Sequence, residues 1–191
     1  MPVAIVGNGA IVKPFLVANY PIIIAADGGF NNCQRLGITP THSIGDADSI
    51  TTPPVDFVTD HNQDTTDLMK AIALAKQLAA NESIELFGVT SSDRLDHTQA
   101  AFWALQNDAM VTTIHTTTQT IVFVKPGERR TLPDQVNFSI VPTTAAAVVE
   151  IINAKWSGRV TLNANYSGIS NQALQAANIT VVSGCVYLLW T

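Results

Sequence analysis

The chain has 191 residues, enough for one medium-sized domain or two small domains with a real hydrophobic core. Hydrophobic residues make up 47% of the sequence and charged residues 13%, which excludes the composition of a disordered protein, and the net charge of −5 argues against a surface for nucleic acid or anionic membranes. The apolar runs are shorter than the roughly 20 residues of a membrane-spanning helix, and the first residues lack the basic start of a signal peptide, so we expect a cytoplasmic protein.

The first part of the chain alternates short apolar runs with segments of helical spacing. This alternation is typical of βαβ units around a parallel sheet. In the helical segment of residues 66–79, apolar residues recur at helical spacing, and Thr65 or Thr66 is a suitable N-cap. The predicted strands and helices are residues 3–6, a segment from residue 11, and residues 21–26, 30–36, 55–58, 66–79, 84–87 and 93–107.

After about Met110 the sequence changes to short runs of Val, Ile, Thr and Phe separated by turn residues. Such runs indicate β-strands joined by turns, as in a β-sandwich. We therefore predict an α/β N-terminal domain with a mainly parallel sheet at residues 1–115, followed by a smaller all-β sandwich domain at residues 116–191. The predicted strands of this part are residues 112–124, 136–141, 147–152, 160–162, 179–182 and 186–190.

Glycines after the first predicted strand offer one functional interpretation. Gly7 and Gly9 precede a helical segment, and Asp27 ends the second strand, where a ribose-binding acid lies in dinucleotide-binding folds. The pattern is incomplete, because Val12 stands at the position of the third glycine. A tight strand-to-loop turn explains the same glycines, so an oxidoreductase that binds a nicotinamide dinucleotide stays open as an alternative.

A stronger signal is the number of aspartates at the ends of predicted strands and the starts of helices. In an α/β sheet such positions converge on the crevice beyond the carboxyl ends of the strands. Asp46 and Asp48 lie close enough in sequence to reach one hard cation, and Asp67, in the first turn of a helix, can complete its shell. Each acid alone is explained by capping or by a solvated turn, and only their combination favours a functional site.

Several motifs occur in a fixed order along the chain: residues 25–29, residues 45–50, residues 60–68 with Lys70 just beyond, and residues 94–98, together with residues 155–156, 170–171 and 188–191 in the C-terminal part. The order and spacing of these motifs resemble those of the thiamine pyrophosphokinase family, and the resemblance extends over nearly the whole chain. One departure lies before Arg94, where a glycine-rich segment of the family retains only its first glycine, Gly88.

The resemblance implies an enzyme that transfers diphosphate from ATP to the hydroxyl of thiamine, giving thiamine diphosphate and AMP. Mg²⁺ is the implied cofactor, and the implied metal ligands are Asp46, Asp48 and Asp67. The likeness to the family also implies a homodimer.

Roles for individual residues follow from the same resemblance. Asp96 would orient the thiamine hydroxyl, with Arg94 and Asp46 as the other implied catalytic residues. Ser170 and Asn171 correspond to a stretch that reaches thiamine. The implied nucleotide-binding residues are Asp27, Gly28, Gly29, Gln63, Thr66, Lys70 and Arg94.

Two further classes of protein stay open beside the nicotinamide enzyme. A phosphatase of the haloacid dehalogenase type would use Asp46 as a nucleophile, but it requires an apolar strand before this residue, and residues 41–44 are too polar to predict one. A family member without activity would be a non-catalytic nucleotide sensor, although the presence of both Asp46 and Asp48 argues against this interpretation.

Overall fold

A computed structural model describes residues 2–11, 14–166 and 168–191. By backbone contacts the chain divides into two compact units, Met1–Thr118 and Gln119–Thr191. Within the described residues, no helix has the length and apolar character needed to cross a membrane.

The first unit contains helices and a parallel sheet. Its elements are β1 (Val3–Val6), α1 (Pro14–Val17), β2 (Ile22–Ala26), α2 (Gly29–Leu36), β3 (His42–Gly45), β4 (Val58–Thr59), α3 (Asp67–Leu78), β5 (Ile84–Phe87), α4 (Leu95–Asn107) and β6 (Val111–His115). The strands follow the order β6-β5-β1-β2-β3-β4, and each neighbouring pair is parallel. Their carboxyl ends therefore share one edge of the sheet, where the loops after β1, β2, β3 and β5 meet.

Apolar residues hold this sheet and its helices together. The residues of β1 are completely buried, as expected for a central strand of a parallel sheet that is covered on both faces. Val17 of α1 and Cys33 of α2 are completely buried in a core cluster with residues of β1. Burial raises the pKa of the Cys33 thiol to about 12, so this free cysteine acts as a small apolar side chain.

Two strand predictions in this unit are wrong. The sequence predicts no strand at residues 41–44, yet β3 pairs with β2, and the Thr41 hydroxyl bonds to both the N–H and the carbonyl of Ile23. The backbone pairing of the two strands outweighs the polar composition of residues 41–44. The strand predicted at residues 55–58 is reduced to β4, and Val55 is fully exposed, because the two prolines before it cannot donate to a neighbouring strand.

The second unit consists of antiparallel strands. They are β7 (Thr120–Val124), β8 (Arg129–Leu132), β9 (Asn137–Pro142), β10 (Ala146–Ala154), β11 (Gly158–Asn163), β12 (Gly168–Ser183) and β13 (Val186–Trp190). One sheet has the order β11-β10-β12-β8 and the other the order β12-β9-β13-β7, so the long strand β12 belongs to both. Apolar side chains from both sheets form one core cluster.

The chain thus combines parallel and antiparallel strands with few helices, which confirms the predicted fold class in this coarse form. The run predicted at residues 112–124 is two strands, because residues 116–119 leave the strand conformation. Strand β8 escapes prediction because it begins with two exposed arginines. The apolar end of the chain, β13, pairs with β7 on one side and β9 on the other, and Val186 and Leu188 are completely buried.

Candidate active site

A cleft with a volume of about 220 Å³ lies at the carboxyl ends of the parallel strands in the first unit. This edge is where open α/β sheets bind their ligands. The walls come from the loops after β1, β2, β3 and β5, from the start of α3 and from one side of α4. The lining residues are 7–9, 26–28, 49, 66–68, 88–91, 94, 97 and 100.

Three aspartates, which we call the acidic cluster, come together at this edge of the sheet: Asp27, Asp46 and Asp48. Asp27 follows β2, and the other two acids follow β3, which pairs directly with β2. One carboxylate oxygen of each aspartate lies within 4.8 Å of the others. The parallel pairing of β2 and β3 therefore joins acids that are distant in sequence.

Asp27 is the buried member of the acidic cluster, with 4% of its surface exposed. Its φ of 42° is in the left-handed region, which residues other than glycine rarely adopt. The Ser49 N–H donates to Asp27 Oδ2 at 3.1 Å, whereas the buried Oδ1 has no hydrogen-bond partner among the described residues. Burial raises the pKa of the Asp27 carboxyl above its ordinary value. A positive ligand at this buried oxygen would therefore be stabilising.

The other two acids of the cluster occupy a tight loop after β3. Ala47, between Asp46 and Asp48, has a φ of 67°, so the backbone bends sharply at this point. Gln63 Nε2 donates to Asp46 Oδ2 at 3.1 Å, and this hydrogen bond lowers the pKa of the Asp46 carboxyl. Gln63, implied by the resemblance as a nucleotide contact, thus holds an acid of the cluster.

The donor set of the acidic cluster fits a hard divalent cation. All of its ligand atoms are carboxylate oxygens, which Mg²⁺ prefers, and no histidine or cysteine belongs to the group that the described residues form. The unpartnered oxygen of Asp27 gives an independent reason for a positive ligand at this position. Mg²⁺ therefore fits the residues present.

Asp67, the third implied metal ligand, lines the cleft but pairs with another residue. Lys70 Nζ lies 3.0 Å from the Asp67 carboxylate and also donates to the Asp60 carbonyl at 2.8 Å. Lys70 is only 5% exposed, and although burial alone lowers its pKa, the hydrogen bond and charge of Asp67 raise it above its ordinary value. Lys70 is thus a fixed counter-charge for Asp67 and not a free cation at the cleft surface.

Two of the implied nucleotide-binding residues lie where the backbone approaches other groups closely, and a third caps a helix. A Cβ atom on Gly28, which lines the cleft, would lie 2.8 Å from the Asn8 side chain. A Cβ atom on Gly29 would lie 2.0 Å from the Val6 carbonyl oxygen, so only glycine fits there. Thr66 lines the cleft and caps α3, because its hydroxyl accepts a hydrogen bond from a backbone N–H of the first turn at 3.3 Å.

The start of α4 presents an arginine, an aspartate and a histidine. Arg94 Nε and Nη2 donate to the two carboxylate oxygens of Asp96 at 3.1 and 2.9 Å, and the guanidinium also contacts His97. This bidentate pair holds the pKa of the exposed Asp96 carboxyl at about 2. Arg94 and His97 line the cleft, so the guanidinium is accessible to a ligand there.

The glycines after β1 have a structural explanation. The Gly9 N–H donates to the Gly88 carbonyl, and Cβ atoms on Gly7 or Gly9 would lie 2.6 and 2.7 Å from that oxygen. Two loops thus approach backbone to backbone, which requires glycine regardless of any dinucleotide. Val12, at the position of the third glycine, lies outside the described residues.

The two implied thiamine-binding residues lie in the second unit, and only one of them is exposed. Asn171 is 4% exposed, and its amide donates to the Trp156 carbonyl and accepts from the Trp156 N–H. Ser170 is exposed, with a φ of 64°, and its N–H donates to Ser139 Oγ. Asn171 therefore holds the turn that carries Trp156, while Ser170 remains accessible.

Sequence reasoning missed two asparagines of α2 that hold loops of the site. Asn31 Nδ2 donates to the Ser49 carbonyl at 2.8 Å, and Asn32, 3% exposed, donates to the carbonyls of Gly7 and Gly9 at 2.7 Å. The Asp-Gly-Gly segment indicates a ligand-binding loop, but it does not indicate that the helix after it holds other loops of the site. The only sequence signal was the presence of two polar residues at the start of an amphipathic helix.

A cleft of this kind, with glycine-containing loops, a carboxylate site for a hard cation and an accessible arginine, is typical of enzymes that bind a nucleotide together with a divalent cation. Comparison with known families gives the particular family. Residues 14–114, more than half of the chain, match the family described as thiamin pyrophosphokinase, catalytic domain. The chain belongs to the thiamin pyrophosphokinase family and is a transferase that uses ATP. A nicotinamide enzyme is not favoured.

Solved structures with the same fold cover almost the whole chain. A thiamin pyrophosphokinase from Geobacillus thermodenitrificans is 20% identical, with a TM-score of 0.84 over 100% of this chain and 97% of that chain. A thiamine pyrophosphokinase from Bacillus subtilis is 19% identical, with a TM-score of 0.81 over 99% and 98% of the two chains. The enzyme from Candida albicans is 15% identical, with a TM-score of 0.81 over 99% and 88%. No curated protein sequence matches.

Proposed function

We propose that the protein transfers the diphosphate of ATP to the hydroxyl of thiamine and releases AMP, the reaction of the family to which it belongs. One observation carries this proposal: the acidic cluster lies beside the cleft and includes a buried oxygen of Asp27 without a partner among the described residues. Phosphoryl chemistry requires positioning and charge neutralisation more than a covalent nucleophile, and these carboxylates suit that requirement.

In the proposed reaction the thiamine hydroxyl oxygen forms a bond to the β-phosphorus of ATP. The bond from this phosphorus to the oxygen of the α-phosphate breaks, AMP leaves, and the hydroxyl proton passes to solvent. Asp27, Asp46 and Asp48 would hold Mg²⁺, with Asp67 completing the shell from the first turn of α3. When bound, Mg²⁺ supplies positive charge that neutralises the polyphosphate. Gln63 would keep Asp46 oriented.

The pair at the start of α4 has complementary roles in this proposal. Arg94 would exchange Asp96 for phosphate oxygens, because a guanidinium binds either partner in the same bidentate geometry. Asp96, released from Arg94, would stay ionised because even the ordinary carboxyl pKa of 3.8 lies well below neutrality, and it would then accept a hydrogen bond from the thiamine hydroxyl and orient it. Gly28 and Gly29, together with Asp27, would form the nucleotide loop, and Thr66 at the start of α3 would contact the phosphates or the nucleotide.

We further propose an α/β domain at residues 1–115 that binds nucleotide and metal, and a smaller β-sandwich domain at residues 116–191 that binds thiamine and forms a homodimer. Exposed apolar side chains of the second unit, Trp156, Ile169 and Leu174, support this role, because a two-fold interface would cover them. Light scattering tests the assembly, and a fully active monomer would contradict it. A substrate as abundant in the cytoplasm as ATP favours that location.

The decisive experiment is mass analysis of the products formed from ATP, Mg²⁺ and thiamine. We expect thiamine diphosphate and AMP in equal amounts, and no product when a chelator removes Mg²⁺. Formation of thiamine monophosphate and ADP would contradict diphosphate transfer. ATP binding without turnover would indicate a nucleotide sensor, and tight binding of a nicotinamide dinucleotide without metal would favour the oxidoreductase.

A further inference from the structure

The segment of residues 88–91, the first part of the loop between β5 and α4, forms one wall of the cleft. At its first end, the Gly88 carbonyl accepts a hydrogen bond from the Gly9 N–H at 2.6 Å. Gly88 has a φ of 62°, in the left-handed region that favours glycine. Backbone contacts therefore fix this end of the loop.

A single side chain, Thr98, fixes the other end of the same loop. Thr98 lies in the first turn of α4, where its N–H donates to the Arg94 carbonyl at 3.1 Å. Its Oγ1 accepts from the Ser91 N–H at 2.9 Å and donates to the Ser91 carbonyl at 3.0 Å. One hydroxyl thus satisfies both backbone groups of Ser91 and ties the cleft wall to the helix that carries Arg94.

We propose that Thr98 is a positioning residue that holds residues 88–91 in the shape that binds ATP, an inference that rests on the proposed function. Thr98 does not line the cleft and acts through Ser91, which does. Valine has nearly the same shape as threonine but no hydroxyl, so T98V leaves the Ser91 N–H and carbonyl without this partner. Residues 88–91 are then fixed only by the backbone contact at Gly88.

The chain offers a matched control for this substitution. Thr41 Oγ1 accepts from the Ile23 N–H at 3.0 Å and donates to the Ile23 carbonyl at 2.9 Å, which is the same reciprocal pattern. Neither Thr41 nor Ile23 lines the cleft. T41V therefore removes the same hydroxyl and the same kind of hydrogen bonds without altering the cleft wall.

The experiment compares T98V, T98S and T41V with the unmodified protein by calorimetric titration with ATP and Mg²⁺, by steady-state kinetics and by thermal unfolding. We expect T98V to raise the Kd and the KM for ATP roughly three- to tenfold, the effect of losing one hydrogen bond, with a smaller change in the KM for thiamine. T98S keeps the hydroxyl and should restore ATP affinity. T41V should lower the Tm and leave the Kd for ATP unchanged.

An ATP affinity of T98V equal to that of T41V would overturn the proposal, as would the same loss of affinity in T98S. If T98V does not fold, T98C tests the same expectation, because a thiol is a weaker donor and acceptor than a hydroxyl. An unmodified protein that forms no thiamine diphosphate refutes the proposed function itself. If the unmodified protein turns over normally and T98V binds ATP with unchanged affinity, only the proposed role of Thr98 is refuted.

Discussion

The acidic cluster and the start of α4 belong to the same site, but their charged groups are compensated by partners to different extents. In the acidic cluster, Asp27 has a buried oxygen without a partner among the described residues, and burial raises its pKa. At the start of α4, Arg94 and Asp96 neutralise each other in an exposed bidentate pair, and the pKa of Asp96 falls to about 2. The buried oxygen of Asp27 thus lacks a compensating partner, whereas Arg94 and Asp96 compensate each other.

This difference predicts different consequences of substitution in the two regions. Clustered carboxylates repel each other, so they reduce stability until a cation binds. An exposed ion pair contributes little to stability and can exchange one partner for a ligand. We therefore expect changes in the acidic cluster to remove activity without loss of stability, and changes at α4 to alter the affinity for one substrate.

The largest effect should come from neutralising the acids of the tight loop after β3. D46N and D48N each remove a negative charge from the cation site, so we expect the turnover rate to fall by more than about 100-fold, because the cation supplies several kcal/mol of transition-state stabilisation. Mn²⁺ binding, measured by electron paramagnetic resonance, should weaken in parallel. The Tm should change little, because Asp48 is exposed and Asp46 is only partly buried, and an asparagine oxygen at position 46 can still accept the hydrogen bond from Gln63.

D56N is the matched control for these two variants. Asp56 is exposed in the connection between β3 and β4 and does not belong to the acidic cluster, so D56N makes the same charge change nearby. It should keep full turnover and Mn²⁺ affinity. Unchanged turnover in both D46N and D48N would refute the metal assignment.

A smaller effect should follow from removing the exposed guanidinium of the α4 pair. R94A should raise the KM for ATP by roughly ten- to 100-fold, since hydrogen bonds to charged groups are strong, and should change the KM for thiamine much less. A guanidinium has no favourable contact with the cationic thiazolium of thiamine. R159A removes an equally exposed ion pair, with Glu150 in the second unit, and should leave both KM values unchanged. Equal losses for the two substrates in R94A would indicate that Arg94 only holds the start of the helix.

A third prediction concerns α2, the helix that contacts the tight loop after β3. Asn31 donates to the Ser49 carbonyl at 2.8 Å and accepts from the Thr51 N–H at 3.2 Å, while the Ser49 N–H bonds to Asp27. N31A removes this support, so we expect Mn²⁺ affinity to fall roughly tenfold, as for other residues that orient metal ligands. Gln34, exposed on the same helix, provides the control Q34A, which should bind Mn²⁺ normally. Retention of full Mn²⁺ affinity in N31A would show that the loop keeps its shape without this residue.

The comparison also explains how much of the site could be predicted from sequence. The two-residue spacing of Asp46 and Asp48 identifies them as candidate ligands of one hard cation. The sequence does not show that Asp27 joins them, since this depends on β3, a strand whose polar residues hide it. The resemblance implies Lys70 as a nucleotide-binding residue, and the sequence does not show that this lysine is buried beside Asp67.

The same limit applies to the fold. Apolar strands such as β1 and β2 are readily predicted, because their hydrophobic residues form continuous runs. Strands β3 and β8 depend on hydrogen bonds to partners that are remote in sequence, and local composition does not reveal them. Residues whose contribution is a hydrogen bond to the backbone of another loop, such as Asn31, are missed for the same reason.

The smallest effect should come from Glu85, a carboxylate of β5 that is compensated, like Asp96, but lies away from the acidic cluster. Burial alone would raise its pKa, but hydrogen bonds from His115, at 2.6 Å, and from Tyr20 lower it below the ordinary value of 4.5. Because the pKa is lower in the folded protein, the stability that Glu85 supplies is present above pH 4.5 and is lost as the pH falls through the folded-state pKa. E85Q should therefore lower the Tm at pH 7 and make the Tm fall less steeply as the pH is lowered. The free energy of unfolding at pH 7 should fall by less than about 1 kcal/mol, because the Glu85 side chain is still 24% exposed to solvent. Turnover at pH 7 should stay normal, and E150Q, which changes a carboxylate of the second unit that is 45% exposed, should leave the acid profile unchanged. A Tm profile of E85Q parallel to that of the unmodified protein from pH 7 to pH 3 would show that this pair does not stabilise the fold.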